Sequence, residues 1–184
     1  MNELSTVISG FGGQGVILAG KILARSGMEA GLEVTWLPSY GPEMRGGTAN
    51  CTVVIDDRLI GSPVVDEPSV LLAFNGPSLR KFGSKVKKGG AIIQNSSLIQ
   101  DGSIGEEIRN IKIPLNDLAS DLDNQKVINM IALGAWAKVN DRLDLDEVQK
   151  GMELMLEEGG KSNFIDINRK ALSVGYERAT KAIA

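Results

Sequence analysis

The clearest chemical signal in the chain is the glycine-rich stretch at positions 10–15, which reads Gly-Phe-Gly-Gly-Gln-Gly. It follows a short apolar run, Leu4 to Ser9, and precedes a long helical pattern that begins near Val16. A glycine turn between a strand and a helix leaves the first N–H groups of the helix free, beside the positive end of its dipole. This pattern fits a seat for a phosphate or another anion, or a tight turn that binds nothing. The candidate contact residues are Gly12, Gly13, Gln14 and Gly15.

A second group of chemically capable residues lies at positions 39–47, in the loop Ser-Tyr-Gly-Pro-Glu-Met-Arg-Gly-Gly. Arg45 stands between a methionine and two glycines, so its guanidinium group could bind a carboxylate or phosphate beside bare backbone. The alternative is a surface loop with a solvated Arg–Glu pair of little energetic value. Three turn glycines around one charge pair make that alternative the less favoured one. The candidate residues are Tyr40, Glu43, Arg45, Gly46 and Gly47.

A nicotinamide-binding domain is one kind of protein that such a glycine string suggests. In those domains an acidic residue at the end of the second strand binds the ribose hydroxyl. Here that end reads Trp36-Leu37-Pro38, and Glu33 lies at the start of the strand. A nucleotide-binding dehydrogenase domain is therefore kept only as an alternative.

Composition narrows the remaining classes of function. The 184 residues, 42% hydrophobic and 23% charged, predict one compact soluble domain over 1–184. A net charge of −3 without a long basic run disfavours nucleic acid as a partner. No apolar run is long enough to span a bilayer and no leader pattern opens the chain, so we expect a cytoplasmic location and no membrane partner.

Cysteine and histidine usage argues against a metal on this chain. There is one cysteine, Cys51, and no histidine. An iron–sulfur cluster takes about four ligands, and zinc is usually bound by Cys and His. We therefore expect no metal here and expect the hardest chemical steps to occur on other polypeptides. Cys51 lies in an apolar strand and is predicted to be a packing residue. Asn129, in an apolar helix, is a structural amide or a ligand contact.

The elements that must position these residues alternate between strands and helices in the first half, and helices dominate the second half. This order predicts an α/β fold, a three-layer Rossmann-like domain whose mostly parallel sheet carries helices on both faces. A hairpin between residues 48–55 and 58–60 would make the sheet mixed. The predicted strands are 4–9, 33–37, 48–55, 69–74, 91–94 and 108–113. The predicted helices are 16–30, 77–82, 127–139, 144–157 and 163–183.

Taken together, the two motifs resemble the gamma subunit of 2-oxoacid:ferredoxin oxidoreductases. The first is residues 12–15 after the first strand, and the second is Tyr40 to Gly47 after the second strand. Residues 60–63 (Ile-Gly-Ser-Pro), Asn75 and residues 88–90 (Lys-Gly-Gly) fit the same family, so the resemblance covers nearly the whole chain. The form of the second motif is most similar to the 2-oxoglutarate enzymes (2-oxoglutarate synthase). Pyruvate, branched-chain and indolepyruvate relatives share much of it.

The resemblance implies a multi-subunit enzyme that decarboxylates a 2-oxoacid on thiamine diphosphate, passes electrons through iron–sulfur clusters to ferredoxin and forms an acyl-coenzyme A. The alpha, beta and cluster-carrying subunits would hold the thiamine diphosphate and the clusters, and this chain alone would hold no cofactor and be inactive. Coenzyme A would contact residues 12–15 and Arg45, or the facing subunit. A non-catalytic assembly module with the same fold is a further alternative. Without its partners, the exposed interface could form a homodimer.

Overall fold

A computed structural model describes residues 3–40, 48–100 and 104–183 of the chain. Its centre is a six-stranded sheet with the order β2-β3-β1-β4-β5-β6. The strands are β1 (Leu4–Phe11), β2 (Glu33–Tyr40), β3 (Thr48–Asp56), β4 (Val70–Ala73), β5 (Ala91–Asn95) and β6 (Arg109–Ile113). The helices are α1 (Val16–Glu29), α2 (Gly76–Phe82), α3 (Leu115–Asp121), α4 (Ile128–Val139), α5 (Leu145–Glu158) and α6 (Ile165–Ile183).

The sheet is mixed because of β3 alone. This strand is antiparallel to both of its neighbours, β1 and β2, whereas β1, β4, β5 and β6 pair in parallel. The predicted hairpin with residues 58–60 is wrong, since these residues form no strand. Both edges of β3 are already paired, and the backbone N–H of Arg58 donates to Asp56 Oδ1 (3.1 Å), which turns the chain away from the sheet. The rest of the predicted architecture is confirmed.

The two faces of the sheet are covered unequally. On one face, α1 and α4 pack on the strands, α6 contacts β6 and crosses α4, and α5 lies mainly against α1. On the other face a smaller apolar cluster forms around Val7, Leu71 and Ile92. This second cluster is closed by Leu79 of the short helix α2 and by Val86 and Ile99 from loops. Helices on both faces were predicted, and one of these two layers is thin.

The crossing of α4 and α6 depends on two glycines. A Cβ atom at Gly134 would collide with the carbonyl oxygen of Leu172, and one at Gly175 would collide with that of Ile131. The two helix backbones are therefore in direct contact at both points. Gly20 plays a similar part on α1, where an added Cβ would lie 2.8 Å from Trp36 Nε1. The small-residue face predicted for α1 does bring that helix close to the sheet.

Local signals also fix the ends of the helices. Asp144 Oδ1 accepts from the backbone N–H of Glu147 (2.9 Å), and Glu147 Oε2 accepts from that of Asp144 (2.8 Å). This is the predicted capping box of α5. Gly31, with φ +77°, follows the end of α1 as expected for a helix stop. In the described part of the chain no helix is long and apolar enough to cross a membrane.

Candidate functional site

The site predicted from the first motif lies at the carboxyl ends of β1 and β4, where the topology of an open α/β sheet produces a crevice. These strands are adjacent and parallel. The chain leaves β1 through α1 on one face of the sheet and leaves β4 through α2 on the other. This is a topological switch point, where open α/β sheets bind their ligands. The glycine turn forms one wall of the crevice, and Asn75, which follows β4, lies opposite.

The backbone of the turn strongly favours glycine. Gly13 and Gly15 have φ values of +93° and +74°, which side-chain-bearing residues rarely adopt. A Cβ atom at Gly15 would also lie 2.6 Å from Asn129 Nδ2, and one at Gly10 would lie 2.7 Å from Gln14 Oε1. Positive φ values and these close approaches together account for the glycines at positions 10, 13 and 15 of the first motif.

The Gln14 side chain stabilises the glycine turn by accepting a hydrogen bond from its backbone. Its Oε1 accepts from the backbone N–H of Phe11 (2.7 Å) and from Nδ2 of Asn75 (3.2 Å). Gln14 therefore links the two walls of the crevice. Among the described residues no acceptor is found for its Nε2, which leaves that donor for a ligand.

The first turn of α1 has the donors that an anion needs. No side chain caps this helix, and its first turn contains no acidic residue. The first intrahelical bond runs from the Ala19 N–H to Gly15 O (2.9 Å). The N–H groups before Ala19 point along the helix axis into the crevice, at the positive end of the helix dipole. The chemistry of this wall thus fits a phosphate or carboxylate group.

Neutral amides hold the loops around the crevice. Asn75 Oδ1 accepts from the N–H of Ser78 (2.9 Å), which caps α2. Asn95 Nδ2, at the end of β5, donates to Phe74 O (3.1 Å) and to Asn116 Oδ1 (2.8 Å). The sequence analysis missed Asn95 and Asn116. For Asn95 the sequence did offer a signal. Asn75 and Asn95 each directly follow a predicted apolar strand, which places these two residues at the same edge of a parallel sheet.

Asn129 proves to have a structural role. Its Nδ2 donates to Gly15 O (3.3 Å), so it ties the start of α4 to the glycine turn. Its Oδ1 accepts from the N–H of Met130 (3.1 Å). Of the two interpretations that the sequence left open, the structure supports the amide that fixes a neighbouring loop.

A cation that the sequence analysis missed lies near the crevice. Arg80 is exposed on α2, and its Nη1 would lie 3.2 Å from a Cβ atom at Gly76. The guanidinium group is therefore folded back over the start of α2, at the same edge as the glycine turn. The sequence signal for this position was the spacing between Gly76 and Arg80. Residues four apart on a helix lie on the same face, so Arg80 is expected above the start of α2.

The second motif is anchored at the same edge. Tyr40 is the last residue of β2 and pairs with Ala49, which pairs in turn with Gly10 of β1. Thr48, where the chain re-enters the sheet, pairs with Phe11. The loop between these anchors therefore starts and ends beside the glycine turn. The predicted site residues Glu43, Arg45, Gly46 and Gly47 lie outside the described residues, and so does the side chain of Tyr40.

Cys51 is a packing residue, as predicted. It is fully buried in β3, and its thiol donates to Val16 O (3.5 Å). Burial raises the pKa of the Cys51 thiol to about 12, so the group stays neutral and unreactive. Within residues 3–40, 48–100 and 104–183, no three His, Cys, Asp or Glu side chains are grouped as a metal site would need.

Comparison with protein families and curated sequences supports one family. The model of the pyruvate ferredoxin/flavodoxin oxidoreductase family matches residues 5–178. The ketoisovalerate oxidoreductase subunit VorA of Methanothermobacter marburgensis is 38% identical over 179 residues, which are 97% of this chain and 37% of VorA. The 2-oxoglutarate synthase subunit KorC of Methanocaldococcus jannaschii is 32% identical over 175 residues, covering 94% of this chain and 91% of KorC. This chain thus spans little more than a third of the first relative and nearly all of the second.

Solved structures agree with the fold. The gamma subunit of a keto/oxoacid ferredoxin oxidoreductase from Geobacter sulfurreducens matches with a TM-score of 0.83 and 29% identity, covering 97% of this chain and 99% of that one. A 2-oxoglutarate:ferredoxin oxidoreductase chain from Magnetococcus marinus has a TM-score of 0.89 at 24% identity, and 32% of it is covered. The latter likeness supports the fold alone. Relatives of both substrate types are similar to the chain, so the 2-oxoglutarate type stays a prediction.

Proposed function

The chain belongs to the pyruvate ferredoxin/flavodoxin oxidoreductase family, and on this premise we propose that it is the gamma subunit of a cytoplasmic 2-oxoacid:ferredoxin oxidoreductase. Residues 1–184 would form its single gamma-type domain. The complex would convert a 2-oxoacid and coenzyme A into an acyl-coenzyme A and CO₂, and pass two electrons to ferredoxin. The observation that carries this proposal is the uncapped, acid-free start of α1, which opens into the switch-point crevice.

The proposed contribution of this chain is to hold an anionic part of coenzyme A. N–H groups of Gly12, Gly13, Gly15 and the first turn of α1 would donate to a phosphate group, while the N–H of Gln14 already donates to Phe11 O (3.2 Å). Gln14 would keep the turn in shape through its bonds to Phe11 and Asn75. Arg45 would supply positive charge from the second motif, with Tyr40, Glu43, Gly46 and Gly47 completing that wall. Partner subunits would hold thiamine diphosphate and iron–sulfur clusters, which supply the decarboxylation and electron-transfer chemistry.

Two substrates are favoured by different observations. The form of the second motif favours 2-oxoglutarate, and a relative named a 2-oxoglutarate synthase subunit is 36% identical over 135 residues. The 38% identity to the ketoisovalerate subunit VorA favours a branched-chain 2-oxoacid. We propose 2-oxoglutarate first, in line with the motif, and ketoisovalerate second.

Reconstitution tests the proposal. The chain would be co-expressed with candidate partner polypeptides that carry thiamine-diphosphate and cysteine-rich cluster motifs. The assay is reduction of ferredoxin that requires a 2-oxoacid and coenzyme A, with 2-oxoglutarate, ketoisovalerate, pyruvate and indolepyruvate compared. We expect activity that is lost when this chain is omitted. Full activity without the chain would reject the proposal, and assembly without any effect on turnover would favour the non-catalytic module.

A titration with nicotinamide nucleotides distinguishes the proposed function from the alternative of a dehydrogenase domain. Both tryptophans lie near α1 or the sheet, so NADH or NADPH bound at the crevice should change their fluorescence. We expect no saturable change up to millimolar nucleotide. Tight binding of either nucleotide would favour a dehydrogenase domain instead.

A further inference from the structure

A second feature of the molecule is an apolar groove beside the glycine turn. It lies between α1, α4, α5 and the start of α6 and has a volume of about 360 Å³. Its floor includes Ile22, Met130 and Met152, which are at most 2% exposed. Methionine side chains adapt to irregular partners, so such a floor can receive side chains of different shapes. We call this feature the α1–α6 groove.

Exposed apolar side chains flank the floor. Leu18 of α1 is 40% exposed, and Phe164, just before α6, is 46% exposed. Both line the groove. Large apolar side chains that stand out around an apolar floor mark an interaction surface. Both keep at least 40% of their surface exposed while they line the groove, and a polypeptide segment laid across them would cover this surface.

The charged residues of the rim are all basic. Among the described residues lining the groove, the charged side chains are Lys126 and Lys161, both exposed. Two acids of the neighbouring helix α5 are paired with arginines: Glu158 Oε1 lies 2.8 Å from Arg25 Nη2, and Glu153 Oε1 lies 2.6 Å from Arg169 Nη2. A chain of net charge −3 thus presents two lysines beside this apolar groove.

The groove is continuous with the proposed coenzyme A wall. Leu18 belongs to the first turn of α1, and Asn129 both lines the groove and donates to Gly15 O. In VorA the region matching this chain is 37% of a longer polypeptide, so relatives carry further chain attached to this domain. Because Leu18 and Asn129 connect the groove to the start of α1, a partner segment in the groove would lie next to the glycine turn.

We propose that the α1–α6 groove binds a segment of another subunit of the complex, in which apolar side chains are flanked by Asp or Glu. The apolar side chains would fill the floor beside Phe164, and the acids would face Lys126 and Lys161. This is the groove-binding mode of an amphipathic segment, with acids chosen by the basic rim. The inference rests on the proposed function, because it needs the other subunits.

The test measures the affinity of this chain for the remaining subunits. The variants are Phe164→Ala and the double variant Lys126→Glu with Lys161→Glu. The control is Lys85→Glu with Lys112→Glu, which changes net charge equally at exposed positions outside the groove. We expect Phe164→Ala to weaken binding about tenfold. The rim double variant should slow association about tenfold at low salt, and the control should stay within about twofold.

The outcomes separate the two proposals. If the wild-type chain binds the other subunits and neither groove variant changes binding beyond the control, the groove inference is rejected and the proposed function stands. If the wild-type chain does not bind them at all, the proposed function fails and the inference with it. A photo-reactive benzoylphenylalanine in place of Phe164 should cross-link to an acidic, apolar peptide of another subunit. Cross-linking to a second copy of this chain would instead overturn the proposal.

Discussion

The sheet has an amino edge and a carboxyl edge, where the parallel strands begin and end, and polar residues have opposite roles at these two edges. At the amino edge of the parallel strands, Asp56 ends β3 and lies near Arg142 from the α4–α5 loop, with Oδ1 and Nη2 3.9 Å apart. Both side chains are almost fully buried there. A hydrogen bond shared with the neighbouring Asp57 carboxyl group and the bonds donated by the Arg58 guanidinium group (3.3 and 3.4 Å) hold the pKa of Asp56 well below its usual range. The charges of this edge are thus paired with one another.

At the carboxyl edge the shape is set mostly by uncharged groups. Gln14, Asn75 and Asn95 bond to backbone atoms and to other amides, and glycines supply the positive φ values. An incoming anion therefore meets N–H donors and no carboxylate among these residues. Buried charges therefore fix the structure at the amino edge, whereas amides and glycines do so at the carboxyl edge, where the guanidinium group of Arg80 is exposed.

The largest expected effect comes from Gly15→Ala at the carboxyl edge. The substitution combines a positive φ with a clash against Asn129, and we expect it to cost about 2–4 kcal/mol of unfolding free energy. Urea denaturation gives the value. Gly89→Ala is the matched control, because Gly89 has φ +75° and no atom within 4 Å of the added Cβ. It should cost about 1–2 kcal/mol. Equal losses would show that the Asn129 contact is unimportant.

Arg45→Ala should raise the apparent KM for coenzyme A about tenfold or more in the reconstituted complex. The substitution should remove the binding free energy of one charge-assisted hydrogen bond to coenzyme A, about 1.5–3 kcal/mol. Steady-state kinetics measure it, with gel filtration to check assembly. Arg58→Ala, which removes an exposed arginine at the amino edge, should leave the KM unchanged. If Arg45→Ala changes neither KM nor assembly, the anion-binding role of the second motif is rejected.

Asp56→Asn tests the amino edge through pH. A carboxyl group whose pKa is lowered on folding stabilises the fold above its unfolded pKa, near 3.9, and loses this contribution as pH falls through its folded value. We therefore expect the variant to be less stable than wild type at pH 7 and the difference to shrink from about pH 4 downward. Urea midpoints across pH 2–7 measure it. Asp57→Asn, at a half-exposed position, should have a smaller effect at pH 7.

The smallest effect is expected from Arg80→Gln. The guanidinium group is exposed over the start of α2, so its attraction to a bound anion is screened by solvent and salt. We expect the KM for coenzyme A to rise about threefold at low salt and the difference to vanish above about 0.5 M salt. Lys81→Gln, the next residue on α2, is the control. Equal effects of both variants would mean that Arg80 has no special position.

The elements of the fold could be predicted because their signals are local. The apolar runs, the capping box at Asp144 and the stop at Gly31 each depend on a few neighbouring residues. The position of β3 between β1 and β2 could not be predicted in this way, because it depends on pairing between strands far apart in the chain. The glycine turn was predicted from its glycine string between an apolar run and a helical pattern, which is also a local signal. That Thr48 lies opposite Phe11, which brings the second motif to the same edge, follows only from the strand register.

The glycine pair between α4 and α6 limits how the protein can change during evolution. At most core positions a larger side chain can be accommodated when a neighbouring side chain becomes smaller. Gly134 and Gly175 each face a backbone carbonyl oxygen, which every possible neighbouring residue carries. No second substitution at Leu172 or Ile131 could make room for a side chain at either glycine. Each of the two positions is therefore restricted on its own, without any compensating partner.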